Sequence, residues 1–580
     1  MRRIVLAVCL VSGCLAGAAA PAASAGDSLQ AFFSSFFEER LRDSPEFATS
    51  IGRHDYDDHW ADWSSGGRSA VHAHLEARLK QLGALSTDGI SDADRLSLRL
   101  LRYILESDLE SEDLEIHLLR VQQLYGLHTR VYLTFDRMPA HTQRDYQNLL
   151  ARLRSVPTYV DQNIAILQES VARGLTQPSV VVDRIVDQLQ RQASQGADQS
   201  ALLEPFRHFP SNIPAAEQAQ LADAARKSYE EQFLPAWHRL HDFMAGPYRA
   251  KQRAKIGISS LANGRALYAT LIHRLTTTSR SPEEIHQLGL SELQRIEGLM
   301  EGIAHETGFT GDVAAFGRHL EEMPEQHFTS KDDMLIYCRN VAKIIEPNLP
   351  VLFRRIPVLL YGVRAIPEDR EQSTASNAQA PTADGTTPGW FNLNTYQPEK
   401  QVRFDKQALV LHEAVPGHVF QGAVARSVSG LPEFRKYYGN SAYAEGWALY
   451  AESLGGELGI YKDPYSRYGQ LSSERFRAVR LVVDTGIHAF GWTREQAVGF
   501  FQAHAPEATV SEIDRYISWP GQALSYKLGQ LEIRALRAEA EQRLGTRFDI
   551  RDFHDAVLRD GVLPLDLLRE QVGRFAAAAH

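Results

Sequence analysis

Residues 411–418 read LHEAVPGH and are the most informative stretch of the chain. They nearly match the motif H-E-x-x-H, in which two histidines four residues apart lie on one helical face and bind zinc, while the glutamate beside the first activates water. Here His418 comes six residues after His412. At about 100° per residue, an unbroken helix would turn His418 about 120° away from His412. A regular helix therefore cannot bring both side chains to one metal ion.

Pro416 and Gly417 stand between the two histidines and offer a way around this problem. Proline lacks a backbone N–H and clashes with the preceding turn, whereas glycine tolerates unusual backbone dihedral angles. We therefore expect a bulge or a break that returns His418 to the metal held by His412. The alternative interpretation is a helix that ends at the Pro-Gly pair, with both histidines as incidental polar residues.

A catalytic zinc ion needs a third protein ligand and keeps one position open for water. Residues 441–450, SAYAEGWALY, provide Glu445 in an otherwise small and aromatic helical stretch. A carboxylate there is costly unless it is paired or binds a metal. The alternative is an exposed helix charge. Glu452, one heptad later, is the fallback ligand.

Arg480, Asp484 and His488 are spaced four residues apart and so line one face of a helix. One interpretation is an ion-paired surface stripe. The other is that Asp484 orients a ligand histidine, while His488 or Arg480 meets the charge of a substrate or an oxyanion.

Most of the chain is predicted to be helical. Ser281 to Glu284 and Thr493 to Gln496 form capping boxes ahead of apolar residues at helical spacing, and the same spacing recurs through residues 149–167 and 528–544. Residues 356–363 and 389–395 read as short strands, and residues 373–388 as a surface loop. We place a soft boundary at residue 255, between an N-terminal helical region (26–255) and a catalytic region (256–580).

The strand at residues 389–395 is a candidate for substrate binding through Asn392 and Asn394. Extended peptides often bind by adding a strand to an exposed sheet edge. We therefore expect this strand to lie at an edge of a small sheet.

Composition and charge narrow the possible functions. The chain has 580 residues, of which 44% are hydrophobic and 23% charged, as in ordinary globular proteins. A net charge of −10 disfavours a phosphate-binding surface, so nucleic acid is not an expected partner. Beyond the N-terminal segment, no apolar run approaches the roughly 18 to 20 residues of a transmembrane helix. Cys338, the one cysteine beyond the N-terminal segment, is expected to be a buried small hydrophobe and not a nucleophile.

The N-terminus resembles an export signal. Arg2 and Arg3 precede an apolar run at residues 4–10, and Ala23-Ser24-Ala25 offers a cleavage site, which makes residues 1–25 a signal peptide. Alternatively, Val11-Ser12-Gly13-Cys14 resembles a bacterial lipobox, so that residues 1–13 are removed and Cys14 carries a lipid anchor. Either way we expect an exported protein that is periplasmic, membrane-anchored or secreted.

Longer strings resemble the bacterial domain-of-unknown-function family 885. They are HEAVPGH (412–418), YAEGWALYAE (443–452), RLVVDTGIHAFGWT (480–493) and RYISWPGQALSYKLG (515–529). Weaker matches at residues 44–58, 281–290 and 553–568 extend the resemblance over nearly the whole mature chain. That family is similar to the gluzincin metallopeptidases, including angiotensin-converting enzyme and neurolysin. The resemblance implies a mainly helical, two-lobed fold with a deep cleft and a small sheet beside the zinc helix.

The resemblance also implies roles for individual residues. His412, His418 and Glu445 would bind Zn²⁺, and Glu413 would be the general base. Arg515-Tyr516 resembles an Arg-Tyr pair of the converting enzymes, which makes Tyr516 the first candidate for an oxyanion donor and Tyr526 the second, although either tyrosine could belong to the core. Dipeptidyl peptidase III, which has one extra residue in its zinc motif, shows that an enlarged motif can remain active.

The expected activity is zinc-dependent hydrolysis of peptide bonds in short peptides outside the cytoplasm. Two alternatives stay open at this stage. One is a non-catalytic envelope protein that binds peptides or wall fragments, and the other is a zinc amidase that acts on a non-peptide amide.

Overall fold

A computed structural model describes residues 25–358, 360–368, 371, 374–382, 385, 387–506 and 510–578. The predicted signal segment and Cys14 lie outside these residues, apart from Ala25 at the start of the first helix. The protein is mainly helical, as the sequence predicts. Among the helices that the structure describes, none combines the length and the apolar composition needed to cross a bilayer.

Among the residues that the structure describes, ten α-helices precede residue 280. They are α1 (Ala25–Asp43), α2 (Pro45–Ser50), α3 (Ser65–Ala84), α4 (Asp92–Asp113), α5 (Leu127–Phe135), α6 (Gln143–Ala172), α7 (Ser179–Ala193), α8 (Ala215–Ser228), α9 (Leu234–Phe243) and α10 (Gly264–Thr276). Seven follow up to the region of the HEAVPGH motif: α11 (Pro282–Glu306), α12 (Val313–Glu322), α13 (Lys331–Ile345), α14 (Leu349–Leu352), α15 (Lys406–Glu413), α16 (His418–Ser427) and α17 (Glu433–Lys436). The remaining helices are α18 (Ser441–Ser453), α19 (Pro464–His488), α20 (Arg494–His504), α21 (Ser511–Ser518), α22 (Ser525–Leu544), α23 (Ile550–Leu558) and α24 (Leu565–Ala578).

Both predicted capping boxes are present and set the starts of their helices. The Ser281 side chain accepts from the backbone N–H of Glu284, whose carboxylate accepts in return from the N–H of Ser281, and α11 begins at Pro282. Thr493 and Gln496 make the same reciprocal pair at the start of α20. These bonds satisfy donors that the first helical turn leaves without partners, which is why the pattern predicts a helix start.

A three-stranded sheet interrupts the helical chain. Its strands are β1 (Tyr361–Ala365), β2 (Asn377–Gln379) and β3 (Gly389–Leu393), in the order β1-β3-β2. Strand β3 runs parallel to β1 and antiparallel to β2. The first predicted strand, residues 356–363, overlaps β1 only in part, and β2 lies in the segment predicted to be a loop. The prediction of an edge position for residues 389–395 is wrong, because β3 is the central strand.

Two large hydrophobic clusters form the core. One includes Tyr146, Trp237 and Val479, and the other includes Leu100, Phe391 and Trp447. Each cluster therefore combines segments from before and after residue 255. The division of the chain at that residue remains a prediction.

Helices α18 and α22 pack backbone against backbone, which brings Glu445 and Tyr526 into the same region. A Cβ atom at Gly529 would lie 1.9 Å from the carbonyl oxygen of Ala442, and one at Gly446 would lie 2.4 Å from the Cα of Gly529. Only glycine permits so close an approach. The strings YAEGWALYAE and RYISWPGQALSYKLG thus contain the glycines that join the two helices.

Candidate metal centre

The HEAVPGH motif spans a complete break between two helices. Helix α15 ends at Glu413, and α16 begins at His418 after a four-residue turn with a cis Val415-Pro416 bond. The ring centroids of His412 and His418 are 4.9 Å apart, and the ring planes are nearly perpendicular at 89°. The structure thus has the break that the Pro-Gly pair predicts, and the two histidines meet across it.

The turn between the histidines is held against both neighbouring helices. The indole nitrogen of Trp447, on α18, donates to the carbonyl oxygen of Pro416 at 2.8 Å. Gly417 lies so close to α15 that a Cβ atom there would be 1.8 Å from the carbonyl oxygen of His412. The glycine is therefore required by close approach, and Trp447 ties the turn to the helix that carries Glu445.

His412, His418 and Glu445 form what we call the metal-ligand cluster. Oε2 of Glu445 lies 3.6 Å from Nε2 of His412 and 3.3 Å from Nε2 of His418. One ligand atom from each residue lies within 4.8 Å of the other two. Tetrahedral zinc with bonds of about 2.0 to 2.2 Å places its ligand atoms roughly 3.3 to 3.6 Å apart. The spacing and the chemistry of this donor set fit a zinc ion.

Charge around the cluster favours a cation. Burial opposes ionisation of Glu445, but the neighbouring His412 and His418 hold the pKa of its carboxyl well below the usual range. Burial lowers the pKa of His412, while hydrogen bonds with Glu445 and Glu452 raise it to about 10. With Glu413 also adjacent, three carboxylates surround two imidazoles, an arrangement that attracts positive charge.

Glu452 lies behind His412 and does not belong to the ligand set. Its Oε1 is 2.8 Å from Nδ1 of His412, on the side of the ring away from Glu445, and its side chain is fully buried. Arg477 approaches the same carboxylate, with Nη2 3.7 Å from Oε1. The fallback prediction for Glu452 is therefore wrong. The residue fixes the ring and the tautomer of His412, so that Nε2 is available to a metal.

Glu413 follows His412 at the end of α15 and is only 8% exposed. Burial raises the pKa of its carboxyl, although the nearby His412 and His418 oppose the shift. A carboxylate with a raised pKa accepts a proton more readily than one in water. Its position and electrostatics suit a general base beside the cluster.

The structure reverses the expected order of the two tyrosines. The Tyr526 ring lies 6.4 Å from the His412 ring and nearly parallel to it, and its hydroxyl oxygen accepts from Nη2 of Arg515 at 3.1 Å. Tyr516 is 1% exposed, and its hydroxyl oxygen accepts from Nε of Arg480 at 2.9 Å. Tyr526 is thus the tyrosine beside the metal-ligand cluster, and Tyr516 packs in the interior against Arg480.

We call Arg480, Asp484 and His488 the α19 stripe. These residues do share a helical face, but their hydrogen-bond and ion-pair partners are groups that hold the fold together. Nδ1 of His488 accepts from the N–H of Ile258 at 3.1 Å, and its Nε2 donates to the carbonyl oxygen of Tyr516 at 3.0 Å. Burial lowers the pKa of His488 to about 3. Both ring nitrogens are in use, so this arrangement does not support a catalytic role for His488, which stays a prediction.

Asp484 and Arg480 also differ from the prediction. Asp484 accepts from the hydroxyl of Tyr268 at 2.5 Å and from the N–H of Gly521, and burial raises its pKa to about 7. It contacts neither ligand histidine. Arg480 is buried, with Nη2 3.1 Å from Oε2 of Glu512 and its guanidinium 4.3 Å from the centroid of the Tyr526 ring. It supports the tyrosine beside the cluster, and its charge is paired by Glu512.

The amide groups of Asn392 and Asn394 bond other parts of the sheet and its loop, and their substrate contacts stay a prediction. Nδ2 of Asn394 donates to the carbonyl oxygens of Glu371 and Thr374, and its Oδ1 accepts from the N–H of Tyr396. The amide of Asn392 bonds Arg364 and Asn377 on the neighbouring strands. These side chains hold the sheet and its loop together, and the sheet in turn packs against α16, since a Cβ at Gly389 would lie 2.8 Å from the Val419 side chain.

Two further residues near the cluster carry no clear sequence signal. Arg477 contacts Glu452 and lies with its guanidinium 5.9 Å from the centroid of the Tyr526 ring. Tyr125 comes from a distant N-terminal segment, and its ring centroid is 5.3 Å from that of Trp519. The three-residue step from Arg477 to Arg480 on α19 could have drawn attention to Arg477. Nothing in the local sequence distinguishes Tyr125.

Cys338 is buried, and burial raises the pKa of its thiol to about 12, as expected for a structural cysteine.

The fold and the cluster define a mainly helical protein with a candidate metal centre at a helix break. The family model described as "Bacterial protein of unknown function (DUF885)" matches residues 45–572. The chain belongs to this family, as the motifs predict. No curated protein matches the chain.

Two solved structures resemble the whole chain. A candidate lipoprotein from Colwellia psychrerythraea has a TM-score of 0.91 and 26% sequence identity, over 96% of this chain and 100% of that one. A candidate lipoprotein of unknown function from Shewanella oneidensis has a TM-score of 0.72 and 21% identity, over 95% of this chain and 99% of that one. The second likeness is one of fold alone.

Proposed function

We propose that this protein is a zinc-dependent peptidase that cleaves short peptides outside the cytoplasm. The observation that carries the proposal is the convergence of Nε2 of His412, Nε2 of His418 and Oε2 of Glu445, with the two nitrogens 3.6 and 3.3 Å from the oxygen. Two histidines and one carboxylate form the donor set of catalytic zinc sites that keep a fourth position for water.

The zinc ion and the side chains would supply different parts of the chemistry. When bound, zinc supplies Lewis acidity, which makes water a stronger acid and polarises a peptide carbonyl group. Glu413, whose pKa burial raises, takes the proton from water and can later deliver it to the leaving amine. Glu452 holds the His412 ring in place through Nδ1.

Tyr526 is the best-placed donor for the oxyanion that forms during peptide hydrolysis. Its hydroxyl oxygen already accepts a hydrogen bond from Arg515, so its own proton remains free to point to another acceptor. Arg515 and Arg480 share one carboxylate, that of Glu512, so the remaining positive charge favours negative charge in this part of the site. A donor aimed at the developing oxyanion contributes a large share of catalysis in such reactions.

The helix break and the donor set also support our proposal of a two-lobed gluzincin-like fold. The proposed location rests on the N-terminal signal and on the relatives. A positive start, an apolar run and a cysteine in a lipobox-like string direct export, and the two structural relatives are described as candidate lipoproteins. We propose that the chain is exported and either anchored by lipid at Cys14 or released by cleavage after Ala25.

The decisive experiment measures zinc and peptide cleavage on the same purified protein. We expect about one zinc per chain by elemental analysis, and loss of zinc in His412→Ala and His418→Ala but not in the exposed-histidine control His208→Ala. We expect Glu413→Gln to keep zinc and to lose about two to four orders of magnitude in kcat on a peptide library read by mass spectrometry.

Four outcomes would contradict this proposal. Full zinc retention in both histidine variants would remove the ligand assignment, and near-normal turnover in Glu413→Gln would remove the base. A zinc-loaded parent that binds peptides without cleaving any would favour the non-catalytic alternative, and one that cleaves only non-peptide amides would favour the amidase.

A further inference from the structure

A cavity of about 600 Å³ has Tyr125 and Trp519 in its lining, and none of the three residues of the metal-ligand cluster lines it. Arg515 connects the two regions. Its guanidinium lies 6.0 Å from the centroid of the Trp519 ring and donates to the hydroxyl oxygen of Tyr526, the tyrosine beside the cluster. Ligand cavities in proteins typically have about 300 to 1,000 Å³. The cavity is therefore large enough for part of a peptide whose scissile bond lies at the cluster.

The carboxylates that line this cavity already have partners. Glu39 and Asp108 pair with Arg78 and Arg40, at 2.8 and 2.9 Å between nitrogen and oxygen. The remaining pairs are Asp43 with His74, Asp62 with Gln162, and Glu112 with His117. Glu39, Asp43 and Asp108 thus pair with basic side chains, whereas Asp62 bonds a neutral amide and Glu112 lies beside His117, whose pKa burial lowers to about 4.

Within the described part of the chain, three arginines that line the same cavity form no ion pair with a carboxylate: Arg120, Arg130 and Arg253. We call the space that they line the arginine cavity. Seven arginines and five carboxylates line it in all, so its wall carries net positive charge. The charge of Glu46, which does not line the cavity, raises the pKa of Arg120 without pairing with it. A desolvated cation without a paired counterion is costly.

Arg120 is the most strongly constrained of the three. Its guanidinium lies over the Trp63 ring, 3.5 Å from the centroid, and its Nη1 is buried without a hydrogen-bond partner. Burial lowers the pKa of Arg120 to about 10, and the pKa of Arg253 likewise to about 10. A guanidinium held flat on an indole is pre-oriented, so its N–H groups can receive a carboxylate in a fork-like, bidentate geometry.

We propose that the arginine cavity binds a carboxylate of the peptide substrate, with Arg120 as the main contact and Arg130 and Arg253 providing further positive charge. The substrate class is then a peptide with a carboxylate remote from the scissile bond, either its C-terminus or an acidic side chain. The word substrate rests on the proposed peptidase function, whereas binding of the carboxylate does not require cleavage.

The test is a calorimetric titration of the zinc-loaded Glu413→Gln full-length protein with three peptides of one neutral sequence. The first peptide has a free C-terminal carboxylate, the second is amidated, and the third is amidated but carries one glutamate near its C-terminus. We expect tight binding of the first, the third or both, and weaker binding of the second by about ten- to a hundredfold, as for loss of a charged hydrogen-bonded pair. The first and third peptides distinguish the two sources of the carboxylate.

Arg120→Met, added to the same protein, should remove the preference. Methionine keeps an apolar contact with Trp63 but has no charge, so we expect binding of the carboxylate peptides to fall to that of the amidated one. The matched control is Arg274→Met, an arginine of the same cavity that already lies 3.7 Å from Asp108. It changes the net charge equally and should leave at least most of the preference intact.

Melting temperatures separate a binding role from a structural one. Because Arg120 has no ion-pair partner, we expect Arg120→Met to melt no lower than the parent, and a large drop would overturn the proposal. Equal binding of all three peptides, or equal losses in the Arg120 and Arg274 variants, would overturn it as well. If the parent bound carboxylate peptides but cleaved none, the peptidase function would fail while the carboxylate site stood.

Discussion

The metal-ligand cluster and the α19 stripe both bury polar side chains, yet their polar atoms point in different directions. In the stripe, His488 uses both ring nitrogens on backbone groups, and Asp484 receives the Tyr268 hydroxyl and the Gly521 N–H. In the cluster, two imidazole nitrogens face a single carboxylate oxygen at 3.3 and 3.6 Å. The polar atoms of His488 and Asp484 bond other groups of the protein. The ligand atoms of the cluster instead converge on a point that a ligand can occupy.

This difference shows what helical spacing can and cannot indicate. Residues four apart share a face in either case, but the spacing does not tell whether that face meets the protein interior or a cavity. A buried polar group is normally satisfied by the protein, and several donor atoms aimed at one point are the informative exception.

The largest effect is the loss of zinc affinity that we expect for Gly417→Ala. The added Cβ would lie 1.8 Å from the carbonyl oxygen of His412, so the backbone that carries one of the two ligand histidines must move. We expect a loss of zinc affinity larger than the about 10- to 100-fold that follows removal of an outer-sphere partner. Competition with a chelator measures it. The control is Gly456→Ala, where a Cβ would have no neighbour within 4 Å. Unchanged affinity in Gly417→Ala would mean that the close approach is not required.

The next effect concerns stability and not zinc. His488→Leu leaves the N–H of Ile258 and the carbonyl oxygen of Tyr516 without their partner in the interior. Each such group costs about 1 to 3 kcal/mol, so the free energy of unfolding should fall by a few kcal/mol in urea titrations. Zinc content should not change. A variant with parental stability but no activity would restore His488 to the catalytic residues and erase the contrast drawn here.

The smallest of the three effects is expected for Glu452→Gln. The amide can still accept from Nδ1 of His412, but the negative charge that strengthens this hydrogen bond is lost. We expect zinc affinity to fall by about tenfold, at the low end for partners of ligand histidines. Glu457→Gln is the control, because Glu457 lies at the surface and pairs with Arg537. A complete loss of zinc in Glu452→Gln would instead make Glu452 a direct ligand.

Local signals in the sequence predict the helices and the ligand pair well. The capping boxes at Ser281 and Thr493 involve residues within one helical turn, so their geometry is complete in the sequence itself. The same holds for Pro416 and Gly417, whose backbone chemistry excludes a regular helix between the histidines. The motif therefore predicts both the break and the residues that meet across it.

Contacts between distant segments are less accessible to prediction. The order β1-β3-β2 places Gly389–Leu393 in the middle of the sheet because of pairing with β1 and with the short β2, and β2 has little apolar pattern of its own. The role of Asp484 depends on Tyr268, 216 residues away. Arg120 has no motif at all, and only the fold shows that its buried Nη1 has no hydrogen-bond partner. Such features follow from tertiary packing and not from local pattern.

The helix break has a consequence for the thermodynamics of the whole fold. His412 lies in the last turn of α15 and His418 begins α16, so their separation is set by tertiary packing and not by the register of one helix. An unfolded or partly folded chain cannot present this pair as a single preformed helix could. A cation that binds the pair therefore stabilises only the native state, by about 1.4 kcal/mol for each tenfold excess of free ion over its dissociation constant. Occupancy of the site would then report on the integrity of the surrounding fold.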